Sequence, residues 1–583
     1  MNNTQQIETP AAADRPTFTI LSDGNEVAQT VQILTVTIER IVNKVSEATL
    51  IIHDGTPDSQ DFPASNGEEF LPGKEIEIQA GYHSDEESIF KGIVISQRVR
   101  TFEKKPSVLE VCCKDPAVKM TVGRKNKYFY ESADAEVMEE IISAAGLSPD
   151  IEATDTTHQE MVQFQASDWD FIVSRADAVG AFVYTENGNL KVAKPDFSQN
   201  PDLTLAYGGN ILDFEAEMDS RCQYAAVNAY AWDAANQEFL TLEAEDPSGE
   251  FPGNYSAEDL AGVIGIGSYD LRHGGLIKDT ELQAQANAKL MRSRLAKVRA
   301  RARIQGLGKV MPGQMVALEG VGDRFSGDHF VAGVFHEISP KNWETQIQLG
   351  LDPEWFAMAT EDFHTAPANQ MLPAVNGLQI GLVTALEADP EGEDRVQVRI
   401  PLIDPEEEGV WARVACLDAG ENRGSFFRPE LGDEVILGFM DDDPRNPVIL
   451  GMLNSSAKPA PIIAADDNHE KGIITRSEMK LLFNDDTVVF SVETPNGNII
   501  SLSEEEGGIK LEDENGNKIL MDGDGITIES ASDITMKASG DVKLEGTNVE
   551  LTASANFKGE GSAGAEVSSS GTAVLKGSMV QIN

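Results

Sequence analysis

Gly525-Ile526-Thr527-Ile528-Glu529, Asp533-Ile534-Thr535-Met536-Lys537, Asp541-Val542-Lys543-Leu544-Glu545 and Asn548-Val549-Glu550-Leu551 decide how this chain is read. Each is an apolar-x-apolar strand, and Gly, Ser, Asn, Asp or Thr residues separate it from the next. The spacing is eight, eight and seven residues, and the pattern runs on through Phe557, Val567, Val574, Val580 and Ile582. From Gly472 onward there is no Trp or Cys, and no Pro after Pro495. A period this short marks a β-solenoid, not a globular domain. Two inward residues per segment cannot bury a sizeable core in one chain. Winding with copies of itself closes that core and removes free strand edges. The expected core residues are Ile526, Ile528, Ile534, Met536, Val542, Leu544, Val549 and Leu551.

Working outward, 583 residues is a length for about four domains. With 46 basic against 97 acidic residues the formal net charge is −51. Such a chain repels nucleic acid and anionic membranes, so no nucleic-acid partner is expected. Residues 1–16 contain no Lys and no apolar run, which argues against a signal peptide. Synthesis in the cytoplasm without such a signal is expected. No apolar run reaches the roughly 18 residues of a membrane helix. Cys112, Cys113, Cys222 and Cys416 show no metal-ligand spacing and read as reduced, half-buried thiols.

The rest divides by pattern. Residues 1–110 alternate, with strands expected at Thr35–Ile38, Ala48–Ile52, Glu75–Ile78 and Gly92–Ile95. They read as a first barrel or compact sheet. Residues 111–200 are mixed α/β. A helix is expected over Ala135–Ala145, a second over Asp168–Val179 capped by Ser167, and a hairpin turning at Asn187-Gly188. Residues 201–372 return to strands, read as a second hub barrel, and end in a linker. They carry a long helix expected from Glu281 to about Arg299, with Thr280 and Gln283 as its capping box. Residues 373–455 read as a five-stranded OB-type barrel. Residues 456–583 are a linker and the solenoid.

The barrel text is specific: Arg395-Val396-Gln397-Val398-Arg399-Ile400-Pro401, Trp411-Ala412-Arg413-Val414, Arg428-Pro429-Glu430-Leu431-Gly432-Asp433-Glu434-Val435 and Asp443-Pro444-Arg445-Asn446-Pro447. This resembles the OB-fold domain of VgrG-type spike proteins of contractile injection systems and of phage baseplate spikes. Lys471–Ser477 resembles the opening of the family's needle, and Gly577–Asn583 its end. Ser167–Ile172 and Pro312–Gln314 resemble parts of its hub. The resemblance implies a mainly β fold: a barrel-containing hub with a mixed α/β insert, an OB barrel, and a C-terminal triple-stranded, intertwined β-helix. It implies a structural, homotrimeric central spike. The expected partners are a hexameric inner tube protein and baseplate proteins at the hub, a PAAR-type tip protein at the needle end, and effectors as further cargo. The tip surface would comprise Met579, Val580, Gln581, Ile582 and Asn583. Such a protein is exported or released with its particle.

Catalytic and cofactor motifs do not compete with this reading. No P-loop, HExxH or GxSxG occurs. Gly559–Gly564 fits GxGxxG in letters only, because it lies among solenoid turns without a βαβ unit. Asp522-Gly523-Asp524-Gly525 offers carboxylates to Ca²⁺, but a turn is the simpler assignment. His329 and His336 read as satisfied core or surface residues and not as metal ligands. No cofactor, metal or catalytic residue is therefore expected. The alternatives are a cell-wall hydrolase hidden in the hub and a trimeric solenoid adhesin or tailspike. Lys289–Arg303 holds seven basic residues in fifteen, and pairing with acidic neighbours is expected for them.

Overall fold

The computed structural model describes residues 15–233, 238–249, 251–273, 277–360 and 374–582. It falls into two compact units, residues 1–376 with 441–444, and residues 377–440 with 445–583.

The first unit is built on one sheet of 13 strands. Alternation sets its core face. In Glu47–His53 every second residue is buried, and Ala48, Leu50 and Ile52 are fully covered. They pack with Val36, Ile38, Ile76, Ile78, Leu109 and Val111. The four strands expected in the first 110 residues all lie in this sheet. The β-rich segments expected before and after the insert share it. Gln32–Ile41 pairs on one edge with Glu47–His53 and on the other with Gly327–Ile338, matching Ile38 to His336. Gln32–Ile41 thus links the two β-rich segments through backbone pairing.

The mixed segment follows its local signals. Helices span Asp134–Ala144 and Asp168–Ala178. Val137, Met138, Ile141 and Ile142 are buried on one side of the first. Ser167 Oγ accepts the Asp170 amide at 3.1 Å, an N-cap bond. Phe182–Glu186 and Asn189–Ala193 form the hairpin. Asn187 and Gly188 take φ of 54° and 79°, the positive pair that a type I′ turn requires.

The long helix differs from expectation at both ends, running Asp279–Leu295. Lys278 occupies the N-cap without a side-chain cap bond, and Thr280 lies in the first turn with its hydroxyl accepting from Thr156 at 3.0 Å. Gln283 donates to the Glu243 carbonyl and to Asn287. At the other end Val298-Arg299-Ala300-Arg301-Ala302-Arg303 alternates, and it joins the sheet as strand Val298–Gln305. Tertiary pairing overrides the helical propensity of Ala and Arg there. Facing it on Ile211–Met218, Glu217, Glu215 and Asp213 lie opposite Arg299, Arg301 and Arg303. Arg299 and Arg303 make ion pairs across this ladder. Upstream, Arg292 binds Asp177 and Arg294 binds Asp246. Four of the seven basic residues, Arg292, Arg294, Arg299 and Arg303, are thus ion-paired within their own chain, while Lys297 donates to the Tyr255 carbonyl.

In the second unit Gln379–Ala385, Val396–Arg399, Val410–Val414, Glu434–Phe439 and Pro447–Met452 close into the expected five-stranded barrel. Val396, Val398, Ala412, Val435, Leu437 and Ile449 fill it and are fully buried. Arg395 folds back on Asp389 at 2.6 Å, and its hydrogen bond holds that carboxyl well below the usual range.

Candidate assembly surface

After the barrel, residues 470–529 form seven antiparallel strands in chain order. Their turns carry polar residues that satisfy the backbone. Asn484 accepts from the amides of Asp486 and Thr487, Asp513 accepts from Asn515 and Asn517, and Asp522 accepts from Asp524 at 2.9 Å. Asp522–Gly525 is therefore a hairpin turn. Among the described residues no cluster of His, Cys, Asp and Glu is placed to hold a metal ion.

Register divides the side chains of this meander between two faces. One face carries two columns. The first holds Leu481, Val492, Ile500, Leu511, Ile519 and Ile528 in cross-strand succession. The second holds Phe483, Phe490, Leu502, Ile509, Met521 and Ile526. All twelve, from six of the seven strands, are apolar, and the first strand adds Ile473 opposite Leu481 and Lys471 opposite Phe483. The opposite face is mixed and largely polar, with Ser491 beside Ser501 and ion pairs of Lys480 with Glu493 and Lys518 with Glu529. An antiparallel sheet with one apolar face packs that face away from water. Here it is not covered: Phe483, Ile500 and Leu502 are 45–46% exposed, and Ile526 and Ile528 are 71% and 59% exposed.

The eight core residues named from sequence fall in two places. Ile526 and Ile528 end the two columns, opposite Met521 and Ile519. Ile534, Met536, Val542, Leu544, Val549 and Leu551 follow in extended chain without assigned strands, 55–70% exposed. A single chain does not bring these six together. The repeat is thus of two kinds, a meander that pairs within the chain up to Glu529 and a stretch without internal ladders after it. Two-residue and longer hairpin turns reverse the first part, whereas the short Gly/Ser links after Ser530 do not. The ten further apolar residues of the two columns were legible in the same alternation, beginning at Leu481. At the far end Met579, Val580 and Ile582 are 83%, 52% and 83% exposed, while Asn583 lies outside the described residues.

Several titratable groups of the first unit are buried and hydrogen-bonded. His336 is buried with Nδ1 2.9 Å from Thr345 Oγ1, and burial, helped by Arg40, pushes its pKa down to about 3. His329 is buried 2.8 Å from the Phe325 carbonyl, and burial takes it down to about 4. Asp134, fully buried, receives Arg175 at 2.6 Å and lies 2.8 Å from His158, while Arg175 also reaches Glu281. Burial pushes the Asp134 carboxyl up, but these hydrogen bonds and the Arg175 charge outweigh it and hold it below its ordinary value. Of the thiols, Cys113 is buried, Cys112 and Cys222 are half-buried, and Cys416 is exposed, unlike the reading from sequence.

Comparison with known proteins gives three family matches. Residues 12–340 match the Alg8 N-terminal domain, residues 379–453 the type VI secretion system/phage-baseplate injector OB domain, and residues 488–583 the phage baseplate V C-terminal trimerisation domain. Among curated relatives, the type VI secretion system spike protein VgrG1b of Pseudomonas aeruginosa is 28% identical over 219 residues, 34% of this chain and 28% of that protein. The spike protein VgrG3 of Vibrio cholerae is 32% identical over 117 residues, 18% of this chain and 11% of that protein. The matched stretches thus span under a third of those relatives. Among solved structures, a tail protein from Neisseria meningitidis is 15% identical with a TM-score of 0.42, over 59% of this chain and 98% of that one. The Escherichia coli c3393 protein, a type VI secretion component, is 13% identical with a TM-score of 0.37, over 74% and 99%. Among the described residues no helix is long and apolar enough to cross a membrane.

Proposed function

This chain belongs to the Alg8 N-terminal domain family, and from its injector OB and trimerisation matches we propose that it is the homotrimeric central spike of a contractile injection machine. Its role is structural. The hub receives a hexameric inner tube and baseplate proteins, the OB barrel joins hub to needle, and the needle transmits force to a target envelope. Met579–Asn583 take a small tip protein of PAAR type.

The observation that carries this reading is the twelve-residue apolar face of the meander. It is half-exposed in one chain and lies largely within the segment that matches a trimerisation domain. Two or more further copies bury such a face at no cost in new folds, and backbone ladders shared among chains spread a compressive load over many hydrogen bonds. The polar face and the −51 charge oppose side-by-side aggregation of finished needles. The spike names of the curated relatives and the injector OB match support the same assignment.

Affinity capture of the full chain from its native cells tests the proposal. A ring-forming tube protein and a small tip protein are expected in the eluate. Recovery of the chain without either, together with release of soluble fragments from purified cell wall, refutes it in favour of a hydrolase.

A further inference from the structure

We infer that the first unit holds a binding site for a small zwitterion, an amino acid with a basic side chain, whose carboxylate pairs with Arg40 at the floor of a cleft and whose ammonium groups face an acidic rim. Nothing in the spike role calls for such a site. Arg40 belongs to strand Gln32–Ile41 and is 6% exposed, on the same side as the covered Val36 and Ile38. Its hydrogen-bond acceptors among the described residues are the Ile89 carbonyl, reached by Nη2, and Met311 Sδ, 2.6 Å from Nη1. The first contact has a structural reason. Strand Asp85–Arg100 pairs Phe90 with Ile78 and Ser88 with Gln79, so Ile89 is the extra residue of a bulge and stands outside the ladder. One neutral amide donor is enough for that carbonyl, whereas a guanidinium brings five donors and a charge. The second contact is weak, because a thioether is a poor acceptor. No carboxylate of the described residues lies within ion-pair distance of Arg40. Burial opposes its charge, and Glu186 and Asp115 attract it only from farther off. Arginine keeps its proton even so, and a buried cation without a counter-ion is costly. A carboxylate forked onto the guanidinium compensates it.

The guanidinium is within reach of a ligand. Arg40 and Met311 both line a cleft of about 440 Å³, walled by the hairpin of Phe182–Glu186 and Asn189–Ala193 and by the turn from Met311 to Gln314. Small-molecule sites fall in the range of about 300–1,000 Å³. Methionine is unbranched and turns about three bonds, so an incoming oxygen can replace Sδ on Nη1. The rim then selects the ligand. Four carboxylates, of Asp150, Glu186, Asp196 and Asp202, stand there against Lys191 and Lys194, a net charge of −2. Such a rim repels a nucleotide or inorganic phosphate before it reaches Arg40. A simple carboxylate gains only at the floor, and a simple amine only at the rim. A molecule with a carboxylate at one end and ammonium groups beyond it meets both.

The test is calorimetric titration of the full chain with L-lysine, with its carboxyl-free counterpart cadaverine, and with acetate. L-Lysine is expected to bind, and the other two to bind about ten-fold more weakly or not at all. Arg40→Gln keeps an amide donor for the Ile89 carbonyl and removes the charge, so it should fold and lose about ten-fold or more in affinity for L-lysine. Asp150→Asn combined with Asp202→Asn leaves Arg40 in place and lies outside the buried core. It should weaken L-lysine by about three-fold or more. No binding of L-lysine at about 10 mM overturns the inference. Cadaverine binding as tightly as L-lysine also overturns it, since that is attraction to an acidic surface alone. Parental affinity in a folded Arg40→Gln chain, or in the rim variant, overturns it as well. If Arg40→Gln does not fold, the rim variant and the cadaverine comparison decide the matter without it.

Discussion

Replacing Ile519, in the middle of one apolar column, isolates the energy of the inter-chain core. In one chain this side chain is already mostly covered by its own sheet and is 37% exposed. Fully burying an isoleucine contributes about 1.5–3 kcal/mol, so covering the remaining third contributes about 0.5–1 kcal/mol per copy. Ile519→Ala should therefore weaken the trimer by about 1.5–3 kcal/mol in all, roughly ten- to 150-fold in the dissociation constant. Ile519→Asp should do far more. It places three carboxylates in one apolar layer, at several kcal/mol per buried charge. Burial and mutual repulsion raise their pKa in the trimer above the value in free chains. Assembly of the Asp variant should then be absent at pH 7 and return as pH falls and the carboxyls protonate. Sedimentation velocity across a dilution series, at pH 7 and pH 5, reads both effects. An Asp variant that remains trimeric at nanomolar concentration and pH 7 would show that this face does not meet other copies.

Arg292→Met leaves the Asp177 carboxylate buried without its cation, and the hub should lose about 3–5 kcal/mol, read as a fall in its denaturant midpoint. His329 and His336 have folded pKa values depressed to about 4 and about 3, so the unfolded chain binds more protons. Their contribution is complete above pH 6.5 and drains away below it, about 2 kcal/mol each by pH 5. His336→Asn should remove half of that slope in urea titrations between pH 7 and pH 5, and an unchanged slope would contradict the assignment. Deleting Ser578–Asn583 should abolish capture of the tip protein while the trimer persists; retention of the tip at full affinity would refute the tip assignment.

Much of this architecture was legible because local chemistry and tertiary demand agree. Asn187-Gly188 specifies a type I′ hairpin wherever it occurs between β-formers, and φ of 54° and 79° are what the structure shows. Ser167, Gly146 and Gly180 end their helices for similarly local reasons. The long helix was misjudged because its N-cap is Lys278, which has no capping signature. Its other end was overrun because Ala and Arg favour helix, while the arginine ladder opposite Asp213, Glu215 and Glu217 is visible only in register. The same holds for the sheet that joins the two β-rich segments, since nothing local to Gln32–Ile41 names Gly327–Ile338 as its second neighbour.

The needle shows the limit in the other direction. Period and polarity predict an inter-chain core from Ile526 onward, while the meander before it pairs within one chain, a difference made by turns and not by the apolar pattern. The ten earlier column residues carry the same alternation and belong to the same face.

The account stands most directly on the mass of the full chain in solution. Light scattering on the purified protein at micromolar concentration should return about three times 63.1 kDa. A stable, folded species of 63.1 kDa at that concentration would contradict it.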